Sequence, residues 1–124
     1  MIGTLNCLVI DCPEPRSLAP FYEHLLGLGR VEDSEGWVTL GDATKPPTIA
    51  FQQVANFMPP DWKTSTVPQQ MHVDILVKDL DVAQAAVLSL GATLLEGSDK
   101  PIGYRVYADP VGHPFCLVTP EGLA

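Results

Sequence analysis

Basic residues are scarce in this chain of 124 residues: seven lysines and arginines stand against fifteen aspartates and glutamates, a net charge of −8. Nucleic acids and anionic membrane surfaces are held by clusters of lysine and arginine, so neither is expected as a partner. Cysteine is also scarce. Cys7, Cys12 and Cys116 are odd in number and match no metal-finger spacing. The stretch before Asp11 has neither a basic start nor a long apolar run, so no leader peptide is expected. These features predict reduced thiols and a cytoplasmic protein. No phosphate loop, glycine-rich dinucleotide fingerprint or nucleophile–base pair is legible. Small organic molecules and other proteins remain as partners.

What is present is apolar substance and a repeat. Apolar residues make up 46% of the chain, too many for a disordered segment, and the length suffices for a core without disulfides. Leu8-Val9-Ile10 leads through Glu14 and a helix near Ser17 to Leu26-Gly27-Leu28. Val73-Asp74-Ile75-Leu76-Val77 leads through Asp79 to Leu90-Gly91-Ala92 in the same order. A duplicated phrase of this kind predicts two similar modules.

In module one, about 4–55, side-chain alternation sets Leu8 and Ile10 on one face of a strand and Cys7, Val9 and Asp11 on the other. Pro13 and Pro15 end that strand and open a helix. Leu18, Phe21, Tyr22 and Leu25 then follow the i, i+3, i+4, i+7 rule, and Gly27 stands where a left-handed cap is needed. Strands are expected at 29–32, 37–40 and 48–54, the first two joined by the turn Asp33-Ser34-Glu35-Gly36. A proline-rich linker follows at about 56–70, with Phe57, Met58 and Trp62 in it. Module two, about 71–120, predicts a strand over 71–77, a helix with Ala83, Ala86, Val87 and Leu90 as its core stripe, and strands at 93–96, 104–108 and 115–119. The turn Asp109-Pro110-Val111-Gly112-His113 joins the last two, with Asp109 accepting backbone donors there. The expectation is one α+β domain over residues 1–124, built of two βαβββ modules.

Glu14-Pro15, Phe21-Tyr22, Leu25-Leu26-Gly27-Leu28, His72-Val73-Asp74, Leu90-Gly91-Ala92 and Asp109 to Phe115 stand in an order that resembles the vicinal oxygen chelate superfamily. That superfamily includes glyoxalase I, extradiol dioxygenases, fosfomycin-resistance enzymes and bleomycin-binding proteins. The resemblance implies a curved mixed sheet with a cup-shaped cleft and a homodimer. It also implies four metal positions in metal-dependent members. Carried over, they fall on Cys7 or Asn6 in the first strand, Ala50 or Gln52 in the fourth, His72 at the start of module two, and Cys116 in the last strand. Only His72 is the usual ligand type. A softer set of His72, Cys116 and Cys7 would suit zinc.

Because hard-metal ligands are largely missing, the leading expectation is a protein without cofactor that binds a small, flat, partly cationic aromatic molecule, in the manner of bleomycin-binding resistance proteins. Val9, Asp11, Gln52, Trp62, His72, Asp74 and Tyr104 are the candidate lining residues, chosen for strand parity and for stacking or cation–π capacity. The rival expectation is a metal-assisted lyase, isomerase or dioxygenase.

Overall fold

The computed structural model describes residues 1–123, the side chains of the last two apart. The chain divides into two compact units, 1–57 and the residues from Met58 onward, so most of the expected linker belongs with the second.

In the first unit, β1 (Cys7–Cys12) is followed by α1 (Pro15–Leu26), β2 (Arg30–Ser34), β3 (Trp37–Leu40) and β4 (Thr48–Gln53). They form a mixed four-stranded sheet in the order β1-β4-β3-β2, with β1 parallel to β4 and the other pairs antiparallel. Pro15 opens α1, and Gly27 caps it with φ 65°, a left-handed conformation that a Cβ would penalise. Leu18, Phe21 and Tyr22 are buried on the helix stripe, and the Tyr22 ring lies 5.2 Å from that of Phe51 on β4. Burying such aromatics contributes about 2–3 kcal/mol each, which makes this the main apolar core of the unit.

The second unit repeats the order with β5 (Val73–Leu76), α2 (Leu80–Ser89), β6 (Thr93–Glu96), β7 (Tyr104–Ala108) and β8 (Pro114–Val118), closed by a short 3₁₀ turn. Its sheet runs β5-β8-β7-β6, again with one parallel pair, β5 with β8. The expected α+β architecture of two βαβββ modules is therefore present, as two four-stranded mixed sheets. Asp79 caps α2, its carboxylate accepting from the Val82 amide at 3.0 Å. Asp109 Oδ1 accepts from the amides of Val111, Gly112 and His113, each at 3.0 Å, and so holds the β7–β8 turn as the sequence predicts.

Three local expectations need correction. β5 begins at Val73, so His72 precedes the strand. β2 extends to Ser34, which tightens the expected four-residue turn. The inward face of α2 is Leu80, Ala83, Gln84 and Val87, whereas Ala86 is exposed. The cause is Arg105, 2% exposed on β7, which donates to Gln84 Oε1 at 3.0 Å, to Asp81 at 2.8 Å and to the Lys100 carbonyl. Tyr107 also donates to Gln84, at 2.8 Å. A buried guanidinium needs acceptors, and it turns the helix to obtain them.

Candidate functional site

Each sheet has one face against its helix and one face away from it. In the second unit the far face follows from register. Asp74 pairs with Cys116, Cys116 with Val106, and Val106 with Glu96, so four residues form one row across all four strands. Cross-strand partners share a face, and His72, two residues before Asp74, shares it too. The extra residue Leu95 at the β6 irregularity lets Glu96 reach this face.

Three of these side chains converge. His72 Nε2 lies 3.4 Å from Asp74 Oδ1, and the potential ligand atoms of His72, Asp74 and Cys116 all lie within 4.8 Å of one another. Cys116 is buried, while His72 and Asp74 are partly open to solvent. Burial pushes the Cys116 thiol up to about 12, and the neighbouring Asp74 carboxylate, to which it hydrogen-bonds, and Glu96 add to the shift. The thiol is therefore protonated at neutral pH and donates to Asp74.

Trp62 roofs this row. Its ring stands edge-on to His72 at 5.6 Å, its indole N–H donates to Glu96, and it packs on the apolar floor of Val106, Cys116 and Val118. The segment that carries it is anchored by Pro59 against the β7–β8 turn. A Cβ on Gly112, which has φ 104°, would meet Pro59 Cβ at 2.5 Å, so only glycine fits there. Tyr104 pairs with Val118 and is 43% exposed, with Lys100 Nζ 4.0 Å from the centre of its ring. Gln69 Oε1, three residues before His72, is a buried side-chain oxygen without a hydrogen-bond partner among the described residues.

The candidate residues thus fall into two groups. Trp62, His72, Asp74 and Tyr104 belong to the second unit, and the first three are in mutual contact or one residue removed from it. Val9, Asp11 and Gln52 share the corresponding face of the first sheet, where Val9 pairs with Ala50 and Asp11 with Gln52. Cys7 belongs to that first unit, and the cluster around His72 and Cys116 takes Asp74 as its third member. Sequence reasoning listed Asp74 as a lining residue without joining it to Cys116, and it missed Glu96. The signal for both was parity: Asp74 is two residues from His72, and Glu96 is the only acid on β6.

The donor set, one imidazole nitrogen, one carboxylate oxygen and one thiol sulfur, fits zinc better than magnesium or calcium, which prefer oxygen alone. A hard-ligand triad of two histidines and a carboxylate is not assembled among the described residues.

Two βαβββ modules, each with a mixed sheet and one covering helix, define the vicinal oxygen chelate fold. The sequence profile of the glyoxalase-like domain matches residues 7–118, and the chain belongs to that family. No curated protein sequence matches it. Among solved structures, it is similar to a glyoxalase/bleomycin resistance protein/dioxygenase family enzyme from Burkholderia phytofirmans PsJN, at 19% identity and TM-score 0.71 over 94% of this chain and 98% of that one. It is similar to the genomically encoded fosfomycin resistance protein of Listeria monocytogenes at 13% identity and TM-score 0.69, over 96% and 94% of the two chains. The trypanothione-dependent glyoxalase I of Leishmania major gives 12% identity and TM-score 0.69, over 98% and 89%. At these identities the likeness is one of fold. No helix among the described residues is long and apolar enough to cross a membrane.

Proposed function

We propose that this glyoxalase-like protein binds a small, flat, partly cationic aromatic molecule on the far face of its second sheet, as a sequestering protein. The observation that carries this reading is the grouping of Trp62, His72 and Asp74 beside an apolar floor of Val106, Cys116 and Val118, with Tyr104 exposed on the same face. Aromatic rings offer stacking and cation–π contact, worth about 0.5–2 kcal/mol per ring. Asp74 and Glu96 supply negative charge. Sequestration needs affinity and no reacting group. The Cys116 thiol, held protonated, is a poor nucleophile, which agrees with that role.

The family profile spanning residues 7–118 supports treating 1–124 as one functional domain. A homodimer is the assembly that the family resemblance suggests, and sedimentation of the purified chain tests it. The cytoplasm is the compartment in which three free thiols persist.

The test uses the chain with Trp37→Phe, which leaves Trp62 as its single tryptophan. Titration with a panel of flat cationic aromatics, in the presence of a chelator, is expected to quench Trp62 saturably, and Asp74→Asn to weaken binding about tenfold. Absence of saturable quenching across the panel would overturn the reading. The second reading, a metal-assisted enzyme, is favoured by the convergence of His72, Asp74 and Cys116. In that case a bound metal would polarise a substrate oxygen, while Trp62 and Tyr104 would position the substrate.

A further inference from the structure

We propose that Glu96 sets the chemical class of the ligand on this face, selecting a cation that bears N–H groups, such as an amidinium, a guanidinium or a ring-aminated heterocycle, over a quaternary cation of the same shape. This rests on the reading of the face as a binding site for flat cationic aromatics and narrows which of them fit.

Glu96 reaches the face through the pairing irregularity of β6. Leu94 pairs with Tyr107 and Glu96 with Val106, while the extra residue Leu95 packs against the floor of Val106, Cys116 and Val118. Irregularities of this kind re-aim a side chain. The carboxylate is close enough to the floor to help push the Cys116 thiol up, so its charge is felt where a bound ring would lie.

The partners of Glu96 leave half of it unused. Oε1 accepts from the indole N–H of Trp62, whereas Oε2 has no hydrogen-bond partner among the described residues. Nor does any cationic side chain among those residues form an ion pair with it. An uncharged N–H orients a carboxylate without neutralising it, so a charge-assisted bond from a cationic N–H is the stronger contact still open to Oε2. Asp74, by contrast, is already engaged by His72 and by the Cys116 thiol. In the first unit Glu32 accepts from the Thr39 hydroxyl at 2.9 Å, and the position of Thr39 is held in the second by Val106, which has no donor.

Trp62 positions the carboxylate. It stands on a turn closed by its own hydrogen bonds, the Asp61 amide to the Val67 carbonyl at 2.7 Å and the Lys63 and Thr64 amides to Asp61 Oδ1 at 3.0 Å. One side chain on a preformed support thus offers both a ring to stack on and the N–H that aims Glu96. A quaternary cation keeps the stacking and the charge attraction, and it lacks only the donor.

The experiment is calorimetric titration of the purified chain, with a chelator present, using aminoquinolinium, cationic at neutral pH through its N–H groups, and N-methylquinolinium, which has the same rings and charge and no N–H. Aminoquinolinium is expected to bind about tenfold more tightly. Glu96→Gln, at an exposed position, should bring the two to within about twofold. Trp62→Phe, which keeps a ring and removes the indole N–H, should reduce the preference by about threefold. Equal affinities in the unaltered chain, or a preference that survives Glu96→Gln, would overturn the assignment to Glu96 and leave the binding face standing. Binding of neither cation would overturn the assignment as well, and the Trp62 quenching panel decides separately whether the face binds flat cationic aromatics.

Discussion

In the first sheet the row that crosses all four strands on the far face is Val9, Ala50, Thr39 and Glu32, and in the second it is Asp74, Cys116, Val106 and Glu96. Both rows end in a glutamate that follows an irregularity in pairing, and both glutamates are tied to a tryptophan. In the first unit the tie runs from Trp37 through Thr39 to Glu32, at 2.7 and 2.9 Å, within the sheet. In the second Trp62 reaches Glu96 directly from the segment before β5. The same scaffold thus closes its polar groups on itself in one module and leaves them beside a cluster of potential ligands in the other. Chemistry follows from which residues occupy four positions, not from the fold.

The helix-side faces differ in the opposite sense. Val38 and Arg105 occupy equivalent positions, each next to the row residue Thr39 or Val106 and each pointing at the helix. The first unit packs an all-apolar seam there, and the second packs a guanidinium with its acceptors.

The largest effect is expected at the apolar seam. Phe51, fully buried against Tyr22, should cost about 3–5 kcal/mol when changed to alanine, read by denaturant unfolding. A loss below about 1 kcal/mol would show that the first unit does not depend on this core. Arg105→Val, which gives the second unit the residue of the first, should cost about 1–2 kcal/mol because the Lys100 carbonyl loses its donors. An increase in stability would mean that the polar seam is retained at a net cost.

The row itself can be transplanted. Cys7→His, Val9→Asp and Ala50→Cys together place the second module's side chains at the first module's positions, and the bound flat cationic aromatic should rise from one equivalent to two. Ala50 is fully buried, so the added sulfur is expected to cost about 1–3 kcal/mol in stability. Unchanged stoichiometry would show that the surrounding shell, Trp62 above all, matters more than the row.

The smallest effect is one of pH. The Cys116 thiol is raised from 9.0 to about 12 in the folded protein, so the folded state holds its proton more tightly than the unfolded chain. In metal-free protein that contribution is fully present below pH 9 and is lost as pH rises toward 12. Cys116→Ala should flatten this part of the alkaline stability profile, and a profile of unchanged slope would remove the burial and carboxylate contact as its cause.

Much of this molecule was legible in its sequence, and the reasons are particular. β3, β6 and β7 fall where alternation and flanking turns set them, because each is short and bounded by glycine or proline. Gly27 marks a helix end by local chemistry alone, whereas the start of α2 was legible only as Asp79 or Asp81, of which Asp79 is the cap. The inward face of α2 was not legible, since Arg105 lies twenty-one residues from Gln84 and only the fold makes them partners. The site was half legible for the same reason. His72 and Asp74 are near neighbours in the chain, whereas Cys116 joins them only through the parallel pairing of β5 with β8, and Glu96 only through two more strands.

The comparison of the two faces is tested most directly by a pair of single-tryptophan proteins. Trp37→Phe leaves Trp62 as the reporter on the second face, and Trp62→Phe leaves Trp37 on the first. Titrated with the same flat cationic aromatic in the absence of metal, Trp62 should be quenched to saturation while Trp37 changes little. Quenching of Trp37 with Trp62 silent, or of neither, would contradict the assignment of ligand binding to the second sheet.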